Sequence, residues 1–143
     1  MKIIKASKAN LKAIVALENE RFDDNYSDKT IERDLNNPNN TLWVALDGDD
    51  VLGYLNVFHI FEEANLQRIA VFKESEGKGV ASKLLKHAEG YLKKKGITKI
   101  YLEVSEKNSR AIEFYKKNEY KETNRRKNYY SDLSDAIIMW KFF

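Results

Sequence analysis

Cysteine is absent from the 143 residues. This removes disulfides, thiolate metal sites and a cysteine nucleophile from consideration. Histidine occurs only twice, at His59 and His87, and neither stands near a second histidine or an acidic cluster at metal-ligand spacing, so no metal site is expected. His87 reads as a surface residue. Proline occurs once. No stretch approaches the roughly 18 consecutive apolar residues of a membrane-spanning helix. The opening Met1-Lys2-Ile3-Ile4-Lys5 is too short and too interrupted by lysine to read as a secretion signal. A cytoplasmic location with no membrane partner is the expectation. One-signed charge is lacking as well: 25 basic residues face 22 acidic ones, a net +3, too balanced to argue for direct binding of nucleic acid. What remains is a chain with 43% hydrophobic residues, no repeat and no low-complexity segment, which predicts one domain over residues 1–143.

Lys2 to Ala6 reads as a strand. Ser7 is placed to cap a helix over Lys8 to Glu20, whose apolar side carries Leu11, Ile14, Val15 and Leu17. Arg21 to Tyr26 is polar and reads as loop. Ser27 caps a short helix carrying Ile31 and Leu35, which Asn36-Asn37-Pro38-Asn39-Asn40 ends. Thr41 to Leu46 and Val51 to Phe61 read as a hairpin through Asp47-Gly48-Asp49-Asp50, and Leu66 to Phe72 as a third strand. A helix (Val80 to Lys95), a strand (Lys99 to Ser105) and a second helix (Ser109 to Lys117) follow, with Gly96 as the C′ residue of the first. Tyr120 to Arg126 and Asp135 to Lys141 complete the chain as an antiparallel ribbon. Antiparallel strands followed by a β-α-β-α unit predict an α/β protein: a mixed, mostly antiparallel sheet with helices on both faces.

The junction at Glu76-Gly77-Lys78-Gly79-Val80-Ala81-Ser82 holds two glycines where a strand passes into a helix. Unpaired N–H groups at the positive end of a helix dipole suit a phosphate, although glycine there also serves a tight helix start. Glu103 is a carboxylate in the mostly apolar strand Lys99-Ile100-Tyr101-Leu102-Glu103-Val104, and reads either as a base or as a salt-bridged strand-end residue. Tyr115 lies on the apolar side of a helix that Asn108 caps, and a core tyrosine is as good a reading as a proton donor. Tyr129-Tyr130 is an aromatic pair between the last two strands, costly to expose, and reads as a buttress, a contact or a ligand wall.

Four of these motifs, in this order, resemble the GNAT acetyltransferase superfamily. Glu76-Gly77-Lys78-Gly79-Val80-Ala81 resembles its pyrophosphate loop, Gln/Arg-x-x-Gly-x-Gly/Ala, with one defect: the head is glutamate instead of Gln or Arg, a carboxylate that repels a diphosphate unless it points outward. Asn108-Ser109-Arg110-Ala111-Ile112-Glu113-Phe114-Tyr115 resembles its Asn-x-x-Ala motif. Arg125 to Tyr130 and Asp135 to Met139 are similar to the branch that acetylates protein N-termini, and most similar to the bacterial ribosomal-protein-alanine N-acetyltransferases. The resemblance runs from about Leu66 to Met139.

It implies the GNAT fold, in which the strand before the loop and the strand holding Glu103 splay apart. It implies acetyl-CoA as donor, without a metal. The N–H groups of Gly77, Lys78, Gly79, Val80, Ala81 and Ser82 would hold the diphosphate. The backbone of Ile69, Ala70 and Val71, with Asn108, would hold the pantetheine arm, and an N–H near Val71 would meet the oxyanion. Glu103 would serve as general base through a water, and Tyr115 as general acid to the thiolate. Tyr129 and Tyr130 would clamp the acceptor against a wall formed by Phe22 and Tyr26, whose loop also carries Asp23 and Asp24, suited to a basic residue near the acceptor's terminus.

The implied partner is a protein N-terminus, with an alanine of a small-subunit ribosomal protein as the candidate, and the chain is expected to be a monomer or weak dimer. Acetylation of a lysine or small amine, or a CoA-binding module with little activity, are the alternatives. Glu119 stands where the family has glycine after the helix. Asn118, the neighbour better able to take φ > 0, is expected to take that turn, shifting it by one residue.

Overall fold

The computed structural model describes residues 1–143. Seven strands, β1 (Lys2–Lys5), β2 (Asn40–Asp47), β3 (Asp50–Ile60), β4 (Glu63–Val71), β5 (Lys99–Ser105), β6 (Lys121–Arg126) and β7 (Ala136–Phe142), form one sheet in the order β1-β2-β3-β4-β5-β7-β6. All neighbours run antiparallel except β4 and β5, which are parallel. Four α-helices accompany them: α1 (Leu11–Arg21), α2 (Asp28–Asn36), α3 (Val80–Lys94) and α4 (Ser109–Lys117). No helix is long and apolar enough to cross a membrane.

Alternation along the central strands creates two cores. Trp43, Ala45, Leu55 and Val57 point to the face that α3 and α4 cover, against Leu84, Leu85, Ala88 and Leu92. Leu42, Val44 and Tyr54 point to the other face, against Ile14 and Leu17 of α1 and Ile31 of α2. Each of these large apolar side chains contributes about 1.5–3 kcal/mol through its removal from water.

The expected α1 start is shifted. Lys8–Asn10 form a 3-10 turn, and the α-helix begins at Leu11. Asn10 closes that turn: its side-chain Oδ1 accepts from the Ser7 N–H at 2.9 Å, the reciprocal half of a capping box around Ser7. Ser27 caps α2 as expected, its hydroxyl accepting from the Thr30 N–H at 3.2 Å. Strand β4 starts at Glu63 rather than Leu66, because Phe61 adopts φ 55° and lets β3 reverse directly into it, with Ile60 opposite Glu63.

The end of α4 corrects another expectation. Glu119 itself is left-handed, at φ 73°, and Asn118 is not, at φ −93°. The Tyr120 N–H reaches the Tyr115 carbonyl at 2.9 Å and the Glu119 N–H reaches Lys116 at 3.0 Å, the two bonds of a Schellman cap. Asn118 is occupied otherwise: its side-chain amide donates to the Phe114 carbonyl at 2.9 Å, and its own carbonyl accepts from Lys141 Nζ at 3.0 Å. The turn keeps its register, so Tyr115 is not displaced. Gly96 ends α3 with the same pair of bonds at φ 85°, where no side chain opposes the conformation.

Candidate functional site

The site begins where two parallel strands part. Strands β4 and β5 pair only over Glu63–Asn65 and Lys99–Tyr101. Beyond that point β4 carries an extra residue, Gln67, because Asn56 faces Arg68 while Val57 faces Leu66. Such a bulge bends its strand, and here the bend accompanies the departure of β4 from β5. Ile69, Ala70 and Val71 therefore pair with β3 on one edge and with no strand on the other. Gly53 backs this segment: a Cβ there would stand 2.7 Å from the Ala70 carbonyl oxygen.

A cleft of about 580 Å³ fills the gap. Its floor is β4, and one wall is the start of α3. Gly77 and Gly79 both take positive φ, at 78° and 76°, so the loop conformation itself demands glycine. An added Cβ would meet nothing within 4 Å at either position, so a clash within the fold is not the reason for glycine there. The first helical bond is from the Lys83 N–H to the Gly79 carbonyl at 3.1 Å, and the N–H groups of Gly77 through Ser82 have no acceptor within the chain. Six unpaired donors at the head of a fifteen-residue helix fit an anionic diphosphate. The unpaired β4 edge fits an extended amide-bearing arm. Gly77, Gly79, Val80, Ala81 and Ser82 line the cleft and Lys78 does not.

The facing wall is α4. Asn108 caps it, Oδ1 accepting from the Ala111 N–H at 3.2 Å, and also lines the cleft. Both readings of this residue hold in one geometry. Glu76 is not the bare repulsive carboxylate that its position in the loop suggested. It lies 2.7 Å from Arg21 at the end of α1 and 3.3 Å from Arg110 in the first turn of α4. Desolvation would raise its pKa, but the Arg110 and Arg21 guanidiniums outweigh that and hold it below the ordinary carboxylate value.

Glu103 and Tyr115 line the same cleft. The Glu103 side chain is 25% exposed and stands 3.4 Å from Arg126, so a guanidinium faces the carboxylate that the apolar strand left apparently alone. Tyr115 is buried with no side-chain hydrogen bond, yet no buried polar atom of the chain is sealed off without a partner. Its hydroxyl is thus accessible from the cleft rather than tied to backbone. Burial pushes its pKa well above the ordinary tyrosine value, which keeps the hydroxyl protonated.

The acceptor end is built from side chains. Phe22 and Tyr130 line the cleft; Tyr26 and Tyr129 do not. Burial, and then the nearby Glu103 carboxylate, raise the Tyr130 pKa. Tyr129 stands 50% exposed, edge-on to Tyr130 at 5.2 Å and under the Arg126 guanidinium at 5.4 Å. The costly exposure expected to be relieved by packing is relieved only in part. Tyr26 stands behind the wall. With Phe22 it sandwiches the Arg68 guanidinium, at 4.1 and 3.9 Å from the ring centres.

Arg68 is the residue that sequence reasoning missed. It reaches both carboxylate oxygens of Glu18 at 3.2 Å and the Asp24 carbonyl at 2.7 Å. Glu18 is fully buried, and also accepts from the Tyr26 N–H at 2.8 Å and from the Tyr54 hydroxyl. Asp24 approaches Arg68 at 3.6 Å while its side chain stays 87% exposed, so the carboxylate still faces solvent as well as the guanidinium. The one available signal was an arginine inside a strand that otherwise reads Leu-Gln-Arg-Ile-Ala-Val, and its partner lies fifty residues upstream.

A sequence model of the Acetyltransferase (GNAT) family matches residues 11–120. A [ribosomal protein bS18]-alanine N-acetyltransferase of Escherichia coli K12 is 36% identical over 83 residues, covering 56% of this chain and 56% of that protein. The chain thus spans little more than half the length of that relative. An uncharacterized N-acetyltransferase of Methanocaldococcus jannaschii is 32% identical over 99% of this chain and 91% of its own. Among solved structures, the ribosomal-protein-S18-alanine N-acetyltransferase of Escherichia coli superposes with a TM-score of 0.90 at 27% identity, over 97% of this chain and 91% of that one. A spermidine/spermine N-acetyltransferase of Vibrio cholerae shares the fold, with a TM-score of 0.82 at 21% identity, over 99% of this chain and 91% of that one.

Proposed function

The chain belongs to the GNAT acetyltransferase family, and from that premise we propose that it transfers the acetyl group of acetyl-CoA to the α-amine of a protein N-terminus, an alanine of a small-subunit ribosomal protein being the first candidate. The observation that carries the reading is the sharing of one cleft by Glu103, the open Tyr115 hydroxyl and the unpaired β4 edge. Acetyl-CoA supplies the thioester: the amine nitrogen gains a bond to the acetyl carbon as the carbon–sulfur bond breaks. Glu103 takes the proton that the amine sheds, through a water. Tyr115 gives its proton to the departing sulfur. The donor is held by the N–H groups of Gly77 through Ser82, by the β4 edge and by Asn108. Tyr130 and Phe22 hold the acceptor, and Tyr26 acts from behind them through Arg68. The absence of cysteine favours direct attack in a ternary complex over an acyl-cysteine route.

The N-terminal preference draws on the similarity to the Escherichia coli enzyme over 56% of the chain and on the aromatic, side-chain-built acceptor end. The test is CoA release with peptides that differ at their first two residues, with N-terminally blocked lysine peptides and spermidine as controls. Turnover of free N-termini, alanine first, is the expected result. Turnover of lysine peptides or spermidine alone overturns the acceptor assignment, and tight donor binding with no turnover makes the chain a binding module. Glu103→Gln and Tyr115→Phe should each lower kcat by about 10²-fold or more while leaving donor affinity nearly unchanged. Near-normal rates in both would remove the proton-transfer roles. Tyr130→Ala should raise the acceptor KM about tenfold, or about 1.4 kcal/mol, and Tyr129→Ala should change it little.

A further inference from the structure

Three charged side chains at the mouth of the cleft have no part in the chemistry above: Arg21, Glu76 and Arg110. They come from three separate places in the fold: the last residue of α1, the loop before α3 and the second residue of α4. All three line the cleft next to the loop with six unpaired N–H groups. Glu76 touches both arginines, at 2.7 and 3.3 Å. We propose that Glu76 is a built-in anion, holding Arg21 and Arg110 in place for a phosphate group of the donor and yielding them when that phosphate arrives. The proposal rests on acetyl-CoA being the donor, and adds to that reading which side chains read its phosphates.

The physical case has three parts. First, two guanidiniums meet a single carboxylate, so the cluster has a surplus of positive charge directed at the cleft. A phosphate carries more charge and more acceptor oxygens than a carboxylate, and can take a bidentate fork from each arginine. Second, the ion pairs can part without stranding a buried charge. The Arg110 side chain is 76% exposed and those of Arg21 and Glu76 are 30% and 26% exposed, so water and salt reach all three groups. A structural staple of the fold would be buried, like the Glu18–Arg68 pair, and not spread across a cleft mouth. Third, the carboxylate serves the resting protein. Without it, two guanidiniums would repel each other beside the positive end of α3. Glu76 quiets that charge until a stronger anion replaces it.

Calorimetric titration tests this with three ligands: CoA, 3′-dephospho-CoA and phosphate-free S-acetylpantetheine. Arg21→Gln and Arg110→Gln should each weaken CoA about tenfold, or about 1.4 kcal/mol, without moving the affinity for acetylpantetheine. Glu76→Gln should tighten CoA about threefold or more at low salt, an advantage that fades as added salt shortens the screening length below about 8 Å. If the arginine effect vanishes with dephospho-CoA, the 3′-phosphate is the group read; if it persists, the diphosphate is. Weaker CoA binding in Glu76→Gln overturns the proposal. So does an equal loss of acetylpantetheine affinity in the arginine variants, or a loss of CoA affinity that only parallels a fall in Tm. If the unaltered protein binds no CoA, the donor assignment itself fails and takes this inference with it. CoA binding that ignores all three substitutions sinks the inference alone.

Discussion

The donor end and the acceptor end of the cleft are made of different material. The donor end is backbone: six free N–H groups before α3 and a strand edge left bare by β5. The acceptor end is side chain: Phe22, Tyr130 and Glu103 at the surface, propped from behind by the Glu18–Arg68–Tyr26 cluster. Backbone recognition depends on conformation, so sequence can vary around it as long as glycine stands where φ is positive. Side-chain recognition depends on partners far apart in the chain, and each partner is exposed to single substitutions.

Arg68→Ala is the strongest way to break that contrast. It leaves Glu18 buried without its counter-charge, which costs about 3–5 kcal/mol, read as a shift in the urea midpoint. The acceptor KM should rise while donor affinity stays near normal. An equal loss of donor affinity would show that the two ends are one cooperative unit. Alkali should reach both ends together. Burial first, then Glu18, raises the Tyr54 pKa at the acceptor end; burial alone raises Tyr115, and burial with Glu89 raises Tyr120, on the donor side. A tyrosine whose pKa is higher folded than unfolded contributes its full stability below the unfolded value near 10, and loses it as pH rises from there toward the folded value. Stability should therefore fall by about 1 kcal/mol per such tyrosine between pH 10 and 11, measured by denaturant unfolding at each pH.

Gly53→Ala should strike the donor end through its backbone. The new Cβ would press on the Ala70 carbonyl from 2.7 Å, costing about 1–3 kcal/mol. The donor Kd should rise before the acceptor KM does. Glu119→Gly is the mildest change and should act in the other direction. Removing the side chain from a residue at φ 73° should stabilise by about 0.5–1 kcal/mol in a thermal melt, with kcat unaltered. A changed kcat would show that the end of α4 positions Tyr115 more finely than the backbone bonds suggest.

The same division explains what could be read in advance. Local signals were reliable: β5 over Lys99–Ser105 and α4 over Ser109–Lys117 follow directly from apolar spacing and the Asn108 cap. The glycine loop, Glu103 and Tyr115 stand within forty residues of one another, and their motifs are contiguous. The acceptor end was not readable in this way. Arg68 gains its meaning only from Glu18, Phe22 and Tyr26, which the sheet and α1 bring to it. Glu76 read as a defect because Arg21 and Arg110 lie far from it in sequence. Glu119 read as a turn needing a substitute because a glutamate at positive φ is costly locally. The Lys116 and Tyr115 carbonyls hold the turn there, and Asn118 is already occupied.

The bulge at Gln67 has a consequence for how the protein behaves without ligand. A sheet with a bare strand edge in its middle offers the kind of surface on which foreign strands add and aggregates begin. Here the bare run is the short stretch from Leu66 to Val71, which lines the cleft with the starts of α3 and α4 and is guarded at its mouth by Arg21, Glu76 and Arg110. A peptide strand with side chains on both faces would meet those walls, whereas a thin unbranched amide chain would not. The parting of β4 from β5 therefore leaves the sheet adhesive along six residues only, and the helices decide what is slender enough to stick.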